Sequence, residues 1–431
     1  MAKMKDSGYI WIGNVPENWN ISKIKYHLKR KELKNPGNMK VLSVYREYGV
    51  IPKDSRDDNH NATSEDTSKY KYVKPGMLVI NKMKAWQGSM GISEYEGIVS
   101  PAYFIYEFTD KLLYGRYIHY LLRNVYKDEF RRISGGIREG QWDLPAEGFA
   151  NEFIYLPVFE EQKKIADHLD IKCNEIDSLI SDIESEIDIL EQYKTTVITE
   201  AVTKGLNSNV QMKDSGVQWI GNIPGHWNVI PFQYILKERN EKNEPVKTDE
   251  RLSLSIDKGV TLYADKTTNL DRFKEDVSQY KLAHEGDFVM NSMNMIVGAV
   301  GISEYFGCVS PAYYVFYDDD GVTAKYCDFV FHTKIIQRVL FSMGKGIMAI
   351  VRGDDRVNTC RLKVSRYDLN KLAIPMPPLE ERIEIVKYLE EKNRIIGETI
   401  SYKQRQILTL QEYKKSVIYE YVTGKKEVPL P

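Results

Sequence analysis

Along two long stretches of the chain, apolar residues recur at alternating steps of four and three. In the first, Leu169, Cys173, Ile176, Ile180, Ile183, Ile187, Leu190, Val197 and Ala201 keep this spacing, with Lys194 as the polar interruption. In the second, Leu389, Asn393, Ile396, Ile400, Ile407, Leu410, Val417 and Tyr421 keep it, with Lys403 and Lys414 interrupting. A seven-residue period predicts a long helix whose apolar stripe faces a partner helix. Each stripe runs about 40 residues, or roughly 60 Å at 1.5 Å per residue, longer than a domain of this size covers. The two share one register, and Asn393 is the kind of polar insert that fixes it, so we read the helices as pairing with each other. The alternative is that each stripe lies on its own domain. The first helix is expected to begin after Pro157, with Glu160 and Glu161 at the positive end of its dipole. Ahead of each helix, about 150 residues mix strand-like runs such as 76–81 and 103–106 with shorter helical stretches. The expected fold is α/β (α+β): mixed-sheet domains over 1–156 and 212–376, and long helices over 157–206 and 377–424 forming an intramolecular coiled coil that holds the domains apart.

The chain is two copies of one unit. Met4-Lys-Asp-Ser-Gly8 recurs at 212–216, and Trp-Ile-Gly-Asn at 11–14 recurs at 219–222. Gly91-Ile-Ser-Glu-Tyr95 returns at 301–305, Val99-Ser-Pro-Ala-Tyr103 at 309–313, and Val202-Thr203 as Val422-Thr423. The blocks stay in order with small insertions between them, the mark of an internal duplication. Asn, Ser and Gly cluster near 207–211, where the copies join.

Composition narrows the class. At 42% hydrophobic and 28% charged, the 431 residues describe a folded globular protein. No run approaches the roughly 18 apolar residues of a membrane span, and no secretory signal is expected. Cys173, Cys308, Cys327 and Cys360 form no CxxC pair, which fits a reducing cytoplasm and argues against zinc. The net charge of −1 is unevenly spread: residues 1–156 carry 24 Lys+Arg against 19 Asp+Glu, while 157–211 carry 5 against 12. Residues 212–376 balance at 21 each, and 377–431 carry 10 against 9. The acid sits in the first long helix, leaving the first globular segment mildly basic. That permits DNA binding without demanding it.

Catalytic motifs are missing. A methyltransferase acting on adenine needs an Asn/Asp-Pro-Pro-aromatic motif and a Gly-rich donor loop, but the segment Met376-Pro-Pro-Leu379 lacks the leading polar residue. There is no GxxxxGK[ST] loop for ATP, and Gly344-Lys-Gly346 is too weak for a nucleotide site. The seven histidines show no metal-ligand or nucleophile spacing. Asp354 and Asp355 beside Arg352 and Arg356 read as a solvated loop rather than a metal cluster. The chain is expected to be no enzyme by itself and to hold no cofactor or metal.

These residues resemble a family. Asn81-Lys-Met-Lys-Ala-Trp-Gln-Gly88, the Ser-Pro-Ala-Tyr blocks, and the helix openings Phe159-Glu-Glu-Gln162 and Pro377-Pro-Leu-Glu-Glu-Arg382 look like those of type I restriction–modification DNA specificity subunits. So does the Trp-Ile-Gly-Asn-x-Pro-x-x-Trp opening of each copy. The resemblance covers essentially the whole chain; Val158 departs from it, where the second copy has Pro378. It implies two target-recognition domains, each reading one half of a split, asymmetric double-stranded DNA site. It also implies antiparallel helices that dock two methyltransferase subunits. Those subunits use S-adenosylmethionine, and restriction subunits driven by ATP and Mg join in some complexes. The alternatives are a two-domain DNA-binding or architectural protein outside restriction–modification, or a coiled-coil scaffold with no DNA role.

If the half-sites differ, base readers should differ between the copies while scaffold residues match. Asn81/Asn291, Met83/Met293, Gly88/Gly298 and Gly91/Gly301 match. Between them Lys82, Lys84 and Trp86 face Ser292, Asn294 and Ile296, a period-two pattern expected on one side of a strand or extended loop. Lys suits guanine or phosphate, and Asn suits adenine; a solvent-facing strand edge is the other reading. A second group is Arg131, Arg132, Arg138 and Gln141, with Lys345, Arg352 and Arg356 in copy two, where Arg offers a rigid fork or is simply part of a basic loop. Tyr45, Arg46 and Lys258 form a third group, before the matched glycines Gly49 and Gly259. The recurring tryptophans Trp11/Trp19 and Trp219/Trp227 are expected in the core.

Overall fold

The computed structural model describes residues 3–429 apart from 11, 38, 47, 56–65, 137–141, 257, 266–275, 348–349, 352–356 and 359–360. The chain divides into two compact units, Met1–Glu184 with Gln404–Pro431, and Ser185–Lys403. Each therefore draws on both long helices.

The first unit is built on a four-stranded antiparallel sheet in the order Leu28–Lys31, Tyr103–Phe108, Leu78–Asn81, Met90–Ile92. Its central strands are apolar on both faces because both are covered. Leu78, Ile80, Phe104 and Tyr106 enter the main core, while Val79 and Ile105 enter a second cluster under the hairpin Leu42–Tyr45/Gly49–Pro52. Helix Gly115–Asn124 closes the main core with Tyr117, Ile118, Leu121 and Leu122. At the tip of that hairpin Gly49 takes φ +72°, and a Cβ on Gly91 would stand 3.2 Å from its Cα. The second unit repeats this approach with Gly301 and Gly259, which is why these glycines match between the copies.

The second unit has the same sheet, in the order Lys237–Glu238, Tyr313–Tyr317, Phe288–Asn291, Val300–Ile302. Phe288, Met290 and Phe316 face its main core, and Val289 and Val315 face the hairpin side. Among the described tryptophans Trp19 and Trp227 are buried; Trp11 lies outside the described residues.

The long helices span Phe159–Lys204 and Leu379–Val422. Their opening glutamates do more than meet the dipole: Trp19 Nε1–H donates to Glu161 at 3.2 Å, and Trp227 Nε1–H donates to Glu381 at 2.9 Å. In the first unit Ile165, Ala166, Leu169 and Cys173 share a core with Val417, Ile418, Tyr421 and Val422. The pairing there is antiparallel, with the His168 ring 4.6 Å from Tyr421 and Asp177 2.6 Å from Lys414. In the second unit Val197, Ile198, Ala201 and Val202 join Ile385, Val386 and Leu389, and Lys403 meets Glu186. The lysines that interrupt the second stripe thus answer carboxylates of the facing helix. No helix among the described residues is long and apolar enough to cross a membrane.

Candidate nucleic-acid interface

In each unit the strand after the sheet centre ends in a short turn. Residues 82–84 lead into a 3₁₀ turn at Ala85–Gln87 in the first unit, and 292–294 lead into Met295–Val297 in the second. The period-two expectation for these residues is therefore corrected: in a 3₁₀ turn side chains three apart share a face, so alternate residues do not line one side. Ser292 is the clearest case. It is fully buried, and its Oγ has no partner among the described residues, so it presents nothing to a ligand at the surface. Asn294 is exposed and starts the turn, its carbonyl accepting from Val297 and Ala299 N–H.

The equivalent place in the first unit is polar and aromatic. Lys82 Nζ lies 2.7 Å from Asp143, and Lys84 is exposed. Trp86 donates Nε1–H to the Met83 carbonyl at 3.1 Å and lies 5.8 Å from the Trp142 ring. Arg131 is on helix Lys127–Ile133, which packs on the 3₁₀ turn. Its guanidinium carbon stands 5.7 Å from the Trp86 ring centre and 6.0 Å from that of Trp142. Beside this cluster lies an open hollow of about 560 Å³ walled by Arg30, Lys71, Lys82, Phe104 and Asp143 among others. Arg30 stacks over Phe104 at 4.6 Å and pairs with Glu32.

Other candidates separate. Arg46 joins the same rim, donating to Gln87 Oε1 at 2.6 Å. Tyr45 turns inward: its ring meets Tyr48 at 6.4 Å and its buried hydroxyl has no partner among the described residues. Arg132 grips both oxygens of the buried Glu129 at 2.9 and 3.0 Å, a structural bond. In the second unit Lys258 is exposed at its hairpin tip. Lys345 is 78% exposed and 3.4 Å from Asp368. Arg138, Gln141, Arg352 and Arg356 lie outside the described residues. Sequence reasoning missed Trp142, Arg30 and Lys71, which reach this rim from three other segments. Lys71 and its counterpart Lys281 donate to the Tyr103 and Tyr313 carbonyls at 3.0 and 2.9 Å, and burial pulls the Lys281 pKa down. Among the described residues no three His, Cys, Asp or Glu side chains gather as a metal-ligand set.

A duplicated chain of two mixed-sheet units, each completed by the same two antiparallel helices, is the class this structure defines. No family model matches it. The chain is 24% identical to the MjaVIII type I restriction enzyme specificity subunit of Methanocaldococcus jannaschii, with 96% of the chain and 94% of that protein aligned. It is 22% identical to the EcoDI specificity subunit of Escherichia coli, over 71% of the chain and 69% of that protein. The HsdS subunit of Thermoanaerobacter tengcongensis shares its fold with a TM-score of 0.52, 12% identity and coverage of 96% and 98%. A structure from a study of type I restriction–modification complex assembly aligns with a TM-score of 0.66, 12% identity and coverage of 96% and 99%. The relatives of this chain are type I restriction specificity subunits, and the resemblance carried by its motifs holds in sequence and in fold.

Proposed function

We propose that the chain is the DNA-specificity subunit of a type I restriction–modification complex and is not catalytic by itself. The globular part of each unit reads one half of a bipartite, asymmetric site. The long helices dock two methyltransferase subunits, which bring S-adenosylmethionine; restriction subunits using ATP and Mg join where the system has them. One observation carries this reading: the same framework is built twice, but equivalent rim positions differ in chemistry, as at Trp86 and the buried Ile296. Two equal scaffolds with unlike surfaces suit a site with unlike halves. Exposed apolar side chains on the helices, Ile171 and Leu179 in the first unit and Ile383, Ile395 and Tyr402 in the second, support protein docking.

The test is methylome sequencing of cells carrying the chain together with a type I methyltransferase subunit. Replacing residues 1–156 by the equivalent segment of a relative should change one half of the methylated sequence only. A swap that altered both halves together would overturn independent readout. The purified chain alone should show no methylation, nuclease or ATPase activity.

A further inference from the structure

We propose that Arg131, held against Trp86 and Trp142, is a specificity-determining residue that selects guanine in the half-site taken by the first unit. The proposal rests on the reading above and adds a residue and a base to it.

The two units supply the comparison. Gly135 bridges Asp143, and Leu144 N–H donates to the Lys82 carbonyl at 2.9 Å. In the second unit Lys345 pairs with Lys363, and Val364 N–H donates to the Ser292 carbonyl at 3.0 Å. Trp142 therefore corresponds to Leu362, Arg131 to Phe341 and Trp86 to Ile296. Phe130 and Leu340, one position before, are both fully buried. The scaffold residue has kept its character and its exposed neighbour has not: Arg131 is exposed, and Phe341 is 49% exposed. A side chain needed by the fold would be apolar or polar in both copies.

The surroundings of Arg131 suit a reader. Two indole faces hold a guanidinium by cation–π attraction. Trp86 is itself fixed by its bond to the Met83 carbonyl, and Trp142 adjoins the Lys82–Asp143 pair. A planar fork ordered before binding loses less freedom on contact. In the major groove guanine offers two acceptors, O6 and N7, spaced for that fork.

The experiment uses the full chain in its complex with the methyltransferase, a library randomised across both half-sites, and methylome sequencing. Wild type should select guanine at one position of one half-site. R131K keeps the charge and loses the fork, so affinity and salt dependence should hold while the preference for guanine there falls on the order of ten-fold or more. W142L, with Arg131 intact, should relax the same position, W142F should restore it, and the other half-site should be unchanged. Thermal unfolding checks that each variant is folded. If R131K selects the same site as wild type with the same preference, Arg131 meets phosphate or nothing and the proposal is overturned. If wild type selects no site at all, the specificity-subunit reading itself falls.

Discussion

His119 has a donor facing each ring nitrogen, and a neutral imidazole, which keeps one N–H, accepts from only one of them. Ile92 N–H lies 3.3 Å from Nδ1, and Arg123 Nη1 lies 2.8 Å from Nε2. Burial, with the guanidiniums of Arg123 and Arg116, pushes its pKa down to about 3. Between about pH 6.5 and pH 3 the unfolded chain therefore binds a proton that the folded chain refuses, so stability falls as pH drops through that window and is fully present above it. In urea unfolding at pH 7 and pH 5, His119→Gln should lose less stability on acidification than wild type; an equal loss would remove His119 from the account. A second residue-scale device ties a short helix of each unit, Gly115–Asn124 or Thr323–Phe331, to the end of a long one. Tyr117 O–H donates to the Val422 carbonyl at 3.0 Å, and Tyr326 O–H donates to the Val202 carbonyl at 3.1 Å and to that of Pro375 at 2.9 Å. Tyr326→Phe leaves buried carbonyls at the helix end unmet and should cost about 1–2 kcal/mol, read as a lower Tm with the fold kept. Comparison of the copies picked out Trp86 from the sequence, and the rigid fork of arginine picked out Arg131. The comparison could not find Trp142, because Trp142 and Leu362 come into register only through backbone pairing across the turn. Nor could it tell that Ser292 is buried, since Val364, whose N–H meets the Ser292 carbonyl, is distant in sequence.

The long helices were legible because their stripes are long and regular, and burial follows them: Leu169, Cys173 and Ile176 in one, Leu389, Ile396 and Ile400 in the other. The short turns were not. Three residues of 3₁₀ helix carry too little periodicity to separate from a strand end, and packing beneath Ala85 and Met295, both fully buried, decides them. The seam ranks its own contacts. Leu389 is fully buried, so Leu389→Ala should cost about 2–5 kcal/mol. Lys414 and Asp177 are partly solvated, so Lys414→Ala should cost no more than about 1 kcal/mol. Denaturant midpoints of the two variants check the order; equal losses would mean that the ion pair shapes the seam more than its apolar stripe does.

At the scale of the whole chain, the duplication was plain in the sequence, but the way each unit is assembled was not. The heptads marked where the helices run, yet not that each helix is shared, its opening residues in one core and its closing residues in the other. Removing residues 404–431 strips Val417, Ile418, Tyr421 and Val422 from the first unit's core and nothing from that of the second. Hydrogen exchange should then show the amides of 28–156 losing protection while those of 228–376 keep theirs; loss in both would mean that the units unfold as one. The same construction sets an order of birth. The second unit is continuous, Ser185–Lys403, whereas the first joins the two ends of the chain. On the ribosome, the half made first is finished last. At about 5–20 residues per second, the roughly 240 residues from Glu184 to Val422 take on the order of 10 to 50 seconds to appear. For that interval the helix surface around Leu169 and Cys173 waits uncovered, and the nascent chain carries a sticky face that only its own last helix can close.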